Sequence, residues 1–181
     1  MVKKKMLLKF LIQILVIVLL TVVIFTRVII PVRIDGQSMA PMLHDGDLAV
    51  VNALFLNQDQ IERFDVVVLN CKTLQKDIVK RIIGLPGETI VYQDDRLYID
   101  GIYYDESFLN QDYIEEAKVT YQSEQFTNDF EVTLGDDEFF VLGDNRLHST
   151  DSRALGAFKY DDIIGKNGMI VFPFNDMDFI D

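Results

Sequence analysis

A serine that could act as a nucleophile lies in the short stretch DGQSMAPML, residues 35–43. The mixture of Gly36, Ser38 and Pro41 is unfavourable for a helix and is typical of a turn or a strand end that presents its side chains. A serine hydroxyl becomes a strong nucleophile only when a neighbouring base takes its proton. The first question is therefore which residue supplies that base.

Lys80 is one candidate base. In DIVKRIIGLPG it lies between Ile78 and Ile82, at the two-residue spacing that places all three side chains on one face of a strand. A lysine on an apolar face loses hydration, which lowers its pKa toward neutrality, and a neutral amine can serve as a general base. The alternative is an edge strand from which Lys80 and Arg81 both extend to water.

The two histidines are the other candidate bases. A histidine mechanism needs His44 or His148 beside an orienting carboxylate. His148 is close in sequence to Asp144 and Asp151, whereas His44 directly precedes the turn-forming residues DGD. Histidines in polar loops are usually solvated, so these residues by themselves leave the identity of the base open.

A third segment, GDNRLHSTDSRALG at residues 143–156, is rich in side chains that hydrogen-bond one another in loops. Ser149 could orient an amine, and an ion pair between Asp151 and Arg153 could brace the loop. The segment lacks the regular acidic spacing and the terminal glutamate of an EF-hand, which disfavours calcium. Cys71 is the only cysteine, so neither an internal disulfide nor a multi-cysteine metal site is expected.

Charge is distributed unevenly along the 181 residues, whose formal net charge is -12 at pH 7. Residues 1–32 contain five basic residues and no acidic ones, so the remainder carries all 29 carboxylates. Such an acidic body would repel the phosphates of DNA or RNA. Nucleic acid is therefore not expected as a partner, and the length suits one domain of ordinary size.

The N-terminal segment predicts a membrane anchor at residues 6–30, preceded by a cytoplasmic N-terminus at residues 1–5. Residues 10–26 carry no charge and approach the roughly 20 residues that span a bilayer. The basic residues 3–5 favour a cytoplasmic N-terminus with the acidic body outside. A cleavable signal peptide is the alternative. We prefer an uncleaved anchor, because the span is long and no small-x-small site follows it before Gly36.

The rest of the chain shows short alternating or apolar runs separated by Gly, Asp and Asn, which predict a mainly β, antiparallel fold. The strongest turn signal is Asp100-Gly101 in YIDGIYY, which predicts a hairpin. Residues 96–137 are richer in acidic residues, Asn, Gln and Tyr than their flanks. They are predicted to be an insertion carried by a core formed by residues 31–95 and 138–181, and the family resemblance described next implies that the insertion is variable and the core catalytic.

Together these segments resemble the type I signal peptidases, or leader peptidases. The similarity includes SMAPML around Ser38, RFDVVV at residues 63–68, KRIIGLPGE at residues 80–88 and GDNRLHSTDSR at residues 143–153, in the order and spacing of that family. It implies an antiparallel-sheet catalytic core with an inserted β-rich subdomain. It also implies a single-pass enzyme of the cytoplasmic membrane that removes signal peptides from exported preproteins on the outer face. No cofactor or metal is implied, and the partners are preproteins and the phospholipid bilayer.

The resemblance also implies roles for individual residues. Ser38 would attack the carbonyl at the end of the signal peptide, and neutral Lys80 would accept the hydroxyl proton. Ser149 would orient the lysine, while the charged side chains of the last motif would hold its loop in place: Asp144, Asp151 and Arg153.

The oxyanion hole and the specificity pocket follow from the same resemblance. The backbone N–H of Ser38 would stabilise the oxyanion, and Gly36 lies where some relatives carry a hydroxyl residue as a second donor. Apolar side chains would line the pocket for the residue before the scissile bond and restrict it to small residues, which predicts small-x-small specificity. These side chains belong to Ile34, Met39, Leu43, Ile78 and Val79.

Two functions compete with this interpretation. One is a non-catalytic signal-peptidase homologue that acts as a membrane-bound assembly or binding factor. Such a protein would be expected to lack the nucleophile or the base, and this chain keeps Ser38, Lys80 and Ser149. The other is a self-cleaving Ser-Lys protease related to the SOS-response repressors, which would need a DNA-binding or polymerase-accessory segment in place of the apolar span.

Overall fold

Two antiparallel sheets and a long N-terminal helix form the described part of the computed structural model, residues 2–27, 29–53 and 57–180; the side chains of residues 2–4 and 23–29 are not described. The helices are α1 (Val2–Arg27), α2 (Gln111–Tyr121) and the short α3 (Ser152–Leu155). The strands are β1 (Ile29–Arg33), β2 (Leu48–Asn52), β3 (Val66–Cys71), β4 (Lys76–Gly84), β5 (Thr89–Gln93), β6 (Arg96–Ile99), β7 (Ile102–Tyr104), β8 (Phe130–Thr133), β9 (Glu138–Leu142), β10 (Phe158–Lys159), β11 (Ile163–Phe172) and β12 (Phe179–Ile180).

The larger sheet has eight strands in the order β1-β2-β11-β3-β4-β9-β10, with β12 paired to β11. Every neighbouring pair is antiparallel. The run DLAVVNAL forms β2, and its last residue, Leu54, lies outside the described residues. The mainly β, antiparallel fold predicted from alternation is confirmed.

Strand β4 pairs with β3 from Lys76 to Arg81, and its pairing with β9 begins at Arg81 and continues to Gly84. Its side chains alternate between the two faces. Lys80 is only 3% exposed on the face that it shares with Ile78 and Ile82, and Arg81 is only 2% exposed on the opposite face. Burial of both side chains rules out the alternative in which Lys80 and Arg81 extend to water.

The smaller sheet has the order β7-β6-β5-β8, and three of its strands, β6, β7 and β8, lie within the predicted insertion. The predicted hairpin is present, with Ile99 opposite Ile102 and with positive φ angles of 50° at Asp100 and 80° at Gly101. Helix α2 lies within residues 96–137, and its first turn is capped by Asn110, whose side chain accepts a hydrogen bond from the Tyr113 N–H. Strand β5 belongs to this sheet although it precedes residue 96, where the insertion was predicted to begin. The predicted domain boundaries stay a prediction.

Helix α1 contains a candidate membrane span. The segment Lys5–Val22 has a mean hydropathy of 2.3, and none of it is buried against the rest of the protein. The helix ends at Arg27, and Ile29 and Ile30, at the end of the predicted anchor, belong to β1. Residue 28 lies outside the described residues. The first strand of the larger sheet therefore begins almost where the apolar helix stops.

Candidate active site

Ser38 and Lys80 meet in a cleft of about 630 Å³. Ser38 lies in the turn that follows β1, as predicted, and its Oγ is 2.7 Å from Lys80 Nζ. The same Nζ donates a hydrogen bond to the Val79 carbonyl at 2.7 Å. These two contacts fix the amine against the hydroxyl, which is the geometry that proton transfer from a nucleophile to a base requires.

The electrostatic environment of Lys80 favours a neutral amine. The pKa of Lys80 is lowered to about 8: burial is the main cause and the positive charge of Lys76 contributes, while the carboxylates of Asp151 and Asp144 oppose the shift. Desolvation penalises the charged form of a buried ammonium group. About a tenth of the amine is therefore unprotonated at pH 7, far more than for an exposed lysine.

The loop after β9 is joined to β4 by a buried ion pair between Asp144 and Arg81. Arg81 Nε and Nη2 each donate to the Asp144 carboxylate at 2.9 Å, and both side chains are 2% exposed. Arg81 also donates to the Phe64 carbonyl at 2.8 Å, and its guanidinium lies 4.2 Å from the Phe108 ring centroid. Because Arg81 is adjacent to Lys80, this pair fixes the loop beside the strand that carries the candidate base.

Asp151 and Arg153 form the second ion pair of this loop, with Arg153 Nε and Nη2 each 2.8 Å from the Asp151 carboxylate. Burial raises the pKa of the Asp151 carboxyl, but the hydrogen bonds and charge of Arg153 and the Gly143 N–H outweigh it and hold that pKa below its usual value. Asp151 is therefore a carboxylate that braces the loop. Arg153 also donates to the Arg146 carbonyl at 2.8 Å.

Ser149 lies in the same loop, but the structure does not bring its hydroxyl into a hydrogen bond with Lys80. Its Oγ is buried and makes no hydrogen bond of ordinary geometry with the described residues, although it is close enough to Asp151 to help lower the pKa of that carboxyl. The role of Ser149 in orienting the lysine stays a prediction.

Four of the five predicted pocket residues line the cleft: Ile34, Met39, Ile78 and Val79. Leu43 does not lie among the lining residues. It is completely buried in the cluster behind them, where it packs with Ile34, Met39 and Val66. Leu43 is buried because it lies in the turn after Ser38, where its N–H donates a hydrogen bond to the Met39 carbonyl and its side chain packs in the core.

Comparison with known proteins places this arrangement in a family. The model of the family described as signal peptidase, peptidase S26, matches residues 7–172. The chain belongs to the signal peptidase family. Signal peptidase I T of Bacillus subtilis is 40% identical over 149 residues, covering 81% of this chain and 76% of that protein. Signal peptidase I S of the same organism is 37% identical over 177 residues, covering 97% and 94%.

A solved structure of a signal peptidase I from Enterococcus faecalis resembles this one with a TM-score of 0.51 and 37% identity, covering 59% of this chain and 96% of that one. The predicted family and the predicted type of enzyme, a serine peptidase of the signal peptidase I type, are thereby confirmed. The assignment of individual site residues rests on the geometry described above and stays a proposal.

The predicted oxyanion hole of this signal peptidase has one candidate donor. Within the described part of the chain, the Ser38 N–H donates to no protein acceptor. The Gly36 N–H donates to the Asp45 carboxylate at 2.8 Å and is therefore already occupied. Gly36 has a positive φ of 91°, a conformation that side chains rarely adopt, which explains glycine at this position.

Three neighbours of the candidate dyad were not identified from the sequence of this signal peptidase. A Cβ at Gly143 would lie 2.3 Å from the Ser38 carbonyl oxygen, so only glycine permits this close approach. Asn145 donates its backbone N–H to the Ser38 carbonyl at 3.1 Å and its side-chain amide to the Gln37 carbonyl at 3.2 Å. Arg81 was noted only as a cation next to Lys80, and a buried cation needs a buried anion, which is a signal that could have linked it to Asp144.

Neither histidine forms a hydrogen bond with the serine hydroxyl in the described part of the chain. His44 is exposed, and its backbone N–H donates to the Asp47 carboxylate. His148 lines the cleft but stacks against Tyr121. Among the described residues, the hydrogen-bond partner of the Ser38 hydroxyl is Lys80. The geometry therefore favours the lysine over either histidine as the base.

Proposed function

We propose that this chain is a membrane-anchored serine endopeptidase that removes N-terminal signal peptides from exported preproteins, with Ser38 as nucleophile and neutral Lys80 as general base. The observation that carries the proposal is the 2.7 Å contact between Ser38 Oγ and a buried lysine amine whose pKa is lowered to about 8. A structural lysine in a core would instead be paired with a carboxylate at hydrogen-bond distance.

The proposed acylation begins when Ser38 Oγ attacks the carbonyl carbon of the scissile peptide bond. Lys80 accepts the hydroxyl proton as the new C–O bond forms, and the Ser38 N–H donates a hydrogen bond to the oxyanion. Collapse of the tetrahedral intermediate breaks the C–N bond. The Lys80 ammonium group then protonates the departing amine, which is the new N-terminus of the mature protein, and the signal peptide stays as an ester on Ser38.

Deacylation repeats these steps with water as the nucleophile. Lys80, neutral again, takes a proton from water as its oxygen attacks the ester carbon. The C–O bond to Ser38 breaks, and the serine oxygen recovers its proton from Lys80. One peptide bond and one water are consumed, and both catalytic groups return to their starting protonation states.

The anchor and the pocket define the proposed substrate. An extended peptide would lie along β1 and β4, with its side chains in the pocket formed by Ile34, Met39, Ile78 and Val79, which has room for alanine. With the N-terminus in the cytoplasm, α1 would hold the catalytic body at the outer face of the cytoplasmic membrane. Enzyme and signal peptide would then share one bilayer, which raises their effective concentration.

The test is cleavage of peptides by the full-length protein in detergent and in lipid vesicles. A fluorogenic peptide with an Ala-x-Ala site is expected to be cut after the second alanine, as identified by product mass, and a matched Leu-x-Leu peptide is expected to resist. Cleavage at another position would contradict the small-x-small specificity. Failure to cut either peptide in both environments would favour the non-catalytic assembly or binding factor.

Widening the pocket is expected to broaden specificity. Ile78 lines the cleft two residues before Lys80, on the same face of β4. Ile78→Ala should raise the relative kcat/KM for peptides with valine before the scissile bond by roughly 10-fold. The shorter side chain leaves space in the pocket for the two methyl groups that valine has in addition to alanine. Leu43→Ala is the matched control, since Leu43 is buried behind the pocket and its loss should lower stability without changing which residue is accepted. An unchanged preference in Ile78→Ala, measured on a peptide panel, would contradict the pocket assignment.

A further inference from the structure

A stacked pair of rings at the rim of the cleft has no part in the mechanism proposed above. His148 ends the 3-10 turn Arg146–His148 in the loop after β9, and Tyr121 ends α2. Their ring centroids are 5.9 Å apart and their planes are inclined by 17°. His148 lines the same cleft as Ser38 and Lys80, and Tyr121 is 42% exposed. An exposed aromatic pair therefore borders the candidate active site.

The position of the membrane anchor indicates from which end of the cleft a substrate would enter. Strands β1 and β4 run in the same direction, because four antiparallel steps separate them in the sheet. The lining residues begin with Ile30 and Leu74 and extend to Ser38 and Lys80. A signal peptide whose apolar segment lies in the same bilayer enters from the end where α1 joins β1. Residues before the scissile bond then lie along β1 and β4, and residues after it pass beyond Ser38.

The loop that carries His148 is attached to this far end. It contacts the nucleophile segment at the serine itself and at the residue before it, since Asn145 donates to the carbonyls of Gln37 and Ser38. The His148 N–H in turn donates to the Asn145 carbonyl at 3.0 Å. His148 is thus linked to the Ser38 backbone through Asn145, and a substrate that enters from the anchor end would carry its leaving part past this loop.

We propose that His148 and Tyr121 form a platform that binds an apolar or aromatic side chain of the substrate just after the scissile bond. The proposal rests on the proposed function, because it needs Ser38 as the point of cleavage. An extended chain advances about 3.3 Å per residue, so the second and third residues of the mature protein would lie roughly 7–10 Å beyond the serine. Aromatic faces bind such side chains through offset or edge contacts. Tyr121 is a positioning residue that holds the imidazole ring of His148 in place.

The experiment uses the full-length protein in detergent and three peptides that are identical up to the scissile bond. The first ends one residue after the bond, the second continues with phenylalanine at the second and third positions, and the third has glycine there. The unmodified protein should show a kcat/KM about 3- to 10-fold higher for the phenylalanine peptide than for the glycine peptide. His148→Ala and Tyr121→Ala should remove this preference through KM and leave the shortest peptide unaffected. Tyr121→Phe should retain the preference.

Tyr103→Ala is the matched control. Tyr103 is 55% exposed and forms an edge-to-face ring pair with Tyr98, but it lies on the hairpin of the smaller sheet and is not among the residues that line the cleft. It should behave as the unmodified protein with all three peptides. The platform is overturned if His148→Ala and Tyr121→Ala keep the phenylalanine preference, or if they slow all three peptides equally, which indicates a structural role. An unmodified protein that cuts all three peptides equally well also overturns the platform alone, whereas one that cuts none overturns the proposed function as well.

Discussion

Ser38→Ala should reduce peptide cleavage by roughly 10⁴-fold or more, to the level that binding and oxyanion stabilisation alone can support. The substitution removes only the hydroxyl that contacts Lys80, in a turn whose backbone hydrogen bonds do not involve that group. Folding should therefore be unaffected. The measurement is kcat/KM on the Ala-x-Ala peptide, with the urea unfolding midpoint of each variant determined in parallel.

Lys80→Met should reduce peptide cleavage as strongly as Ser38→Ala. The proposed role of Lys80 also predicts how the activity of the unmodified protein depends on pH. Only the neutral amine can accept the serine proton, and burial lowers the pKa of Lys80 to about 8. The kcat/KM of the unmodified protein should consequently rise about tenfold per pH unit below pH 8 and level off above it. Lys80→Met should stay inactive across the whole range, because methionine fills the space without supplying a base.

The same pKa shift predicts a change in stability. A folded-state pKa below the usual lysine value of about 10.4 means that the unfolded state binds more protons between roughly pH 8 and pH 10, so the unmodified protein gains stability as pH rises through that window. Lys80→Met has no buried amine to protonate, so it should be more stable than the unmodified protein below pH 8. The difference in free energy of unfolding between Lys80→Met and the unmodified protein should become smaller above that pH.

Lys72→Met is the matched lysine control. Lys72 is 79% exposed and pairs with Asp162 outside the cleft, so its loss should leave both activity and the pH profile unchanged. Activity of Lys80→Met at any pH within tenfold of the unmodified protein would contradict the proposed base. Full activity of Ser38→Ala would show that Ser38 is not the nucleophile.

Local patterns predicted the elements that carry the candidate dyad. The alternation around Lys80 placed its side chain on the face shared with Ile78 and Ile82, and the turn residues around Ser38 placed the hydroxyl after a strand. These features depend on neighbours within a few residues, so spacing alone defines them. The contact between Ser38 and Lys80 joins residues 42 positions apart. For that contact, the order and spacing of the family motifs supplied what periodicity could not.

The features that were not predicted depend on long-range packing. Helix α2 is short and ends in β-branched Val119 and Thr120 followed by Tyr121, a composition that also suits a strand, and it was not predicted from the sequence. Leu43 has the character of a pocket residue, yet the turn directs it into the core. In both cases local sequence permits two placements, and contacts with the rest of the fold decide between them.

The buried Arg146 is a further example. Its guanidinium donates to the Glu106 carboxylate at 2.6 Å and to the Tyr92 hydroxyl at 2.8 Å, which joins the loop after β9 to the smaller sheet. Burial lowers the pKa of Arg146, but the charges of its partners outweigh that effect and raise the pKa above its usual value. These partners are 40 and 54 residues away in sequence, and no local pattern links them.

Arg81→Met should destabilise the fold by about 3–5 kcal/mol, because it leaves the Asp144 carboxylate buried without its cation. Methionine retains much of the apolar stem of arginine, so most of the cost comes from the unpaired charge and from the lost hydrogen bond to the Phe64 carbonyl. The free energy of unfolding of the full-length protein in detergent, measured by urea titration, reports the loss. The pair lies beside Lys80, so activity should fall with the loss of loop order.

A double-mutant cycle separates the unpaired charge from the lost packing. Arg81→Met combined with Asp144→Asn should be more stable than the sum of the two single variants predicts, by 1 kcal/mol or more, since the second substitution removes the uncompensated carboxylate. Lys72→Met again provides the comparison, because the Lys72 ammonium group is exposed and breaking its pair with Asp162 should cost far less. Strict additivity of the two single variants would show that Arg81 and Asp144 act independently. In that case the ion pair would not be what holds the catalytic loop against β4, and the hydrogen bonds from Asn145 to Gln37 and Ser38 would carry that role.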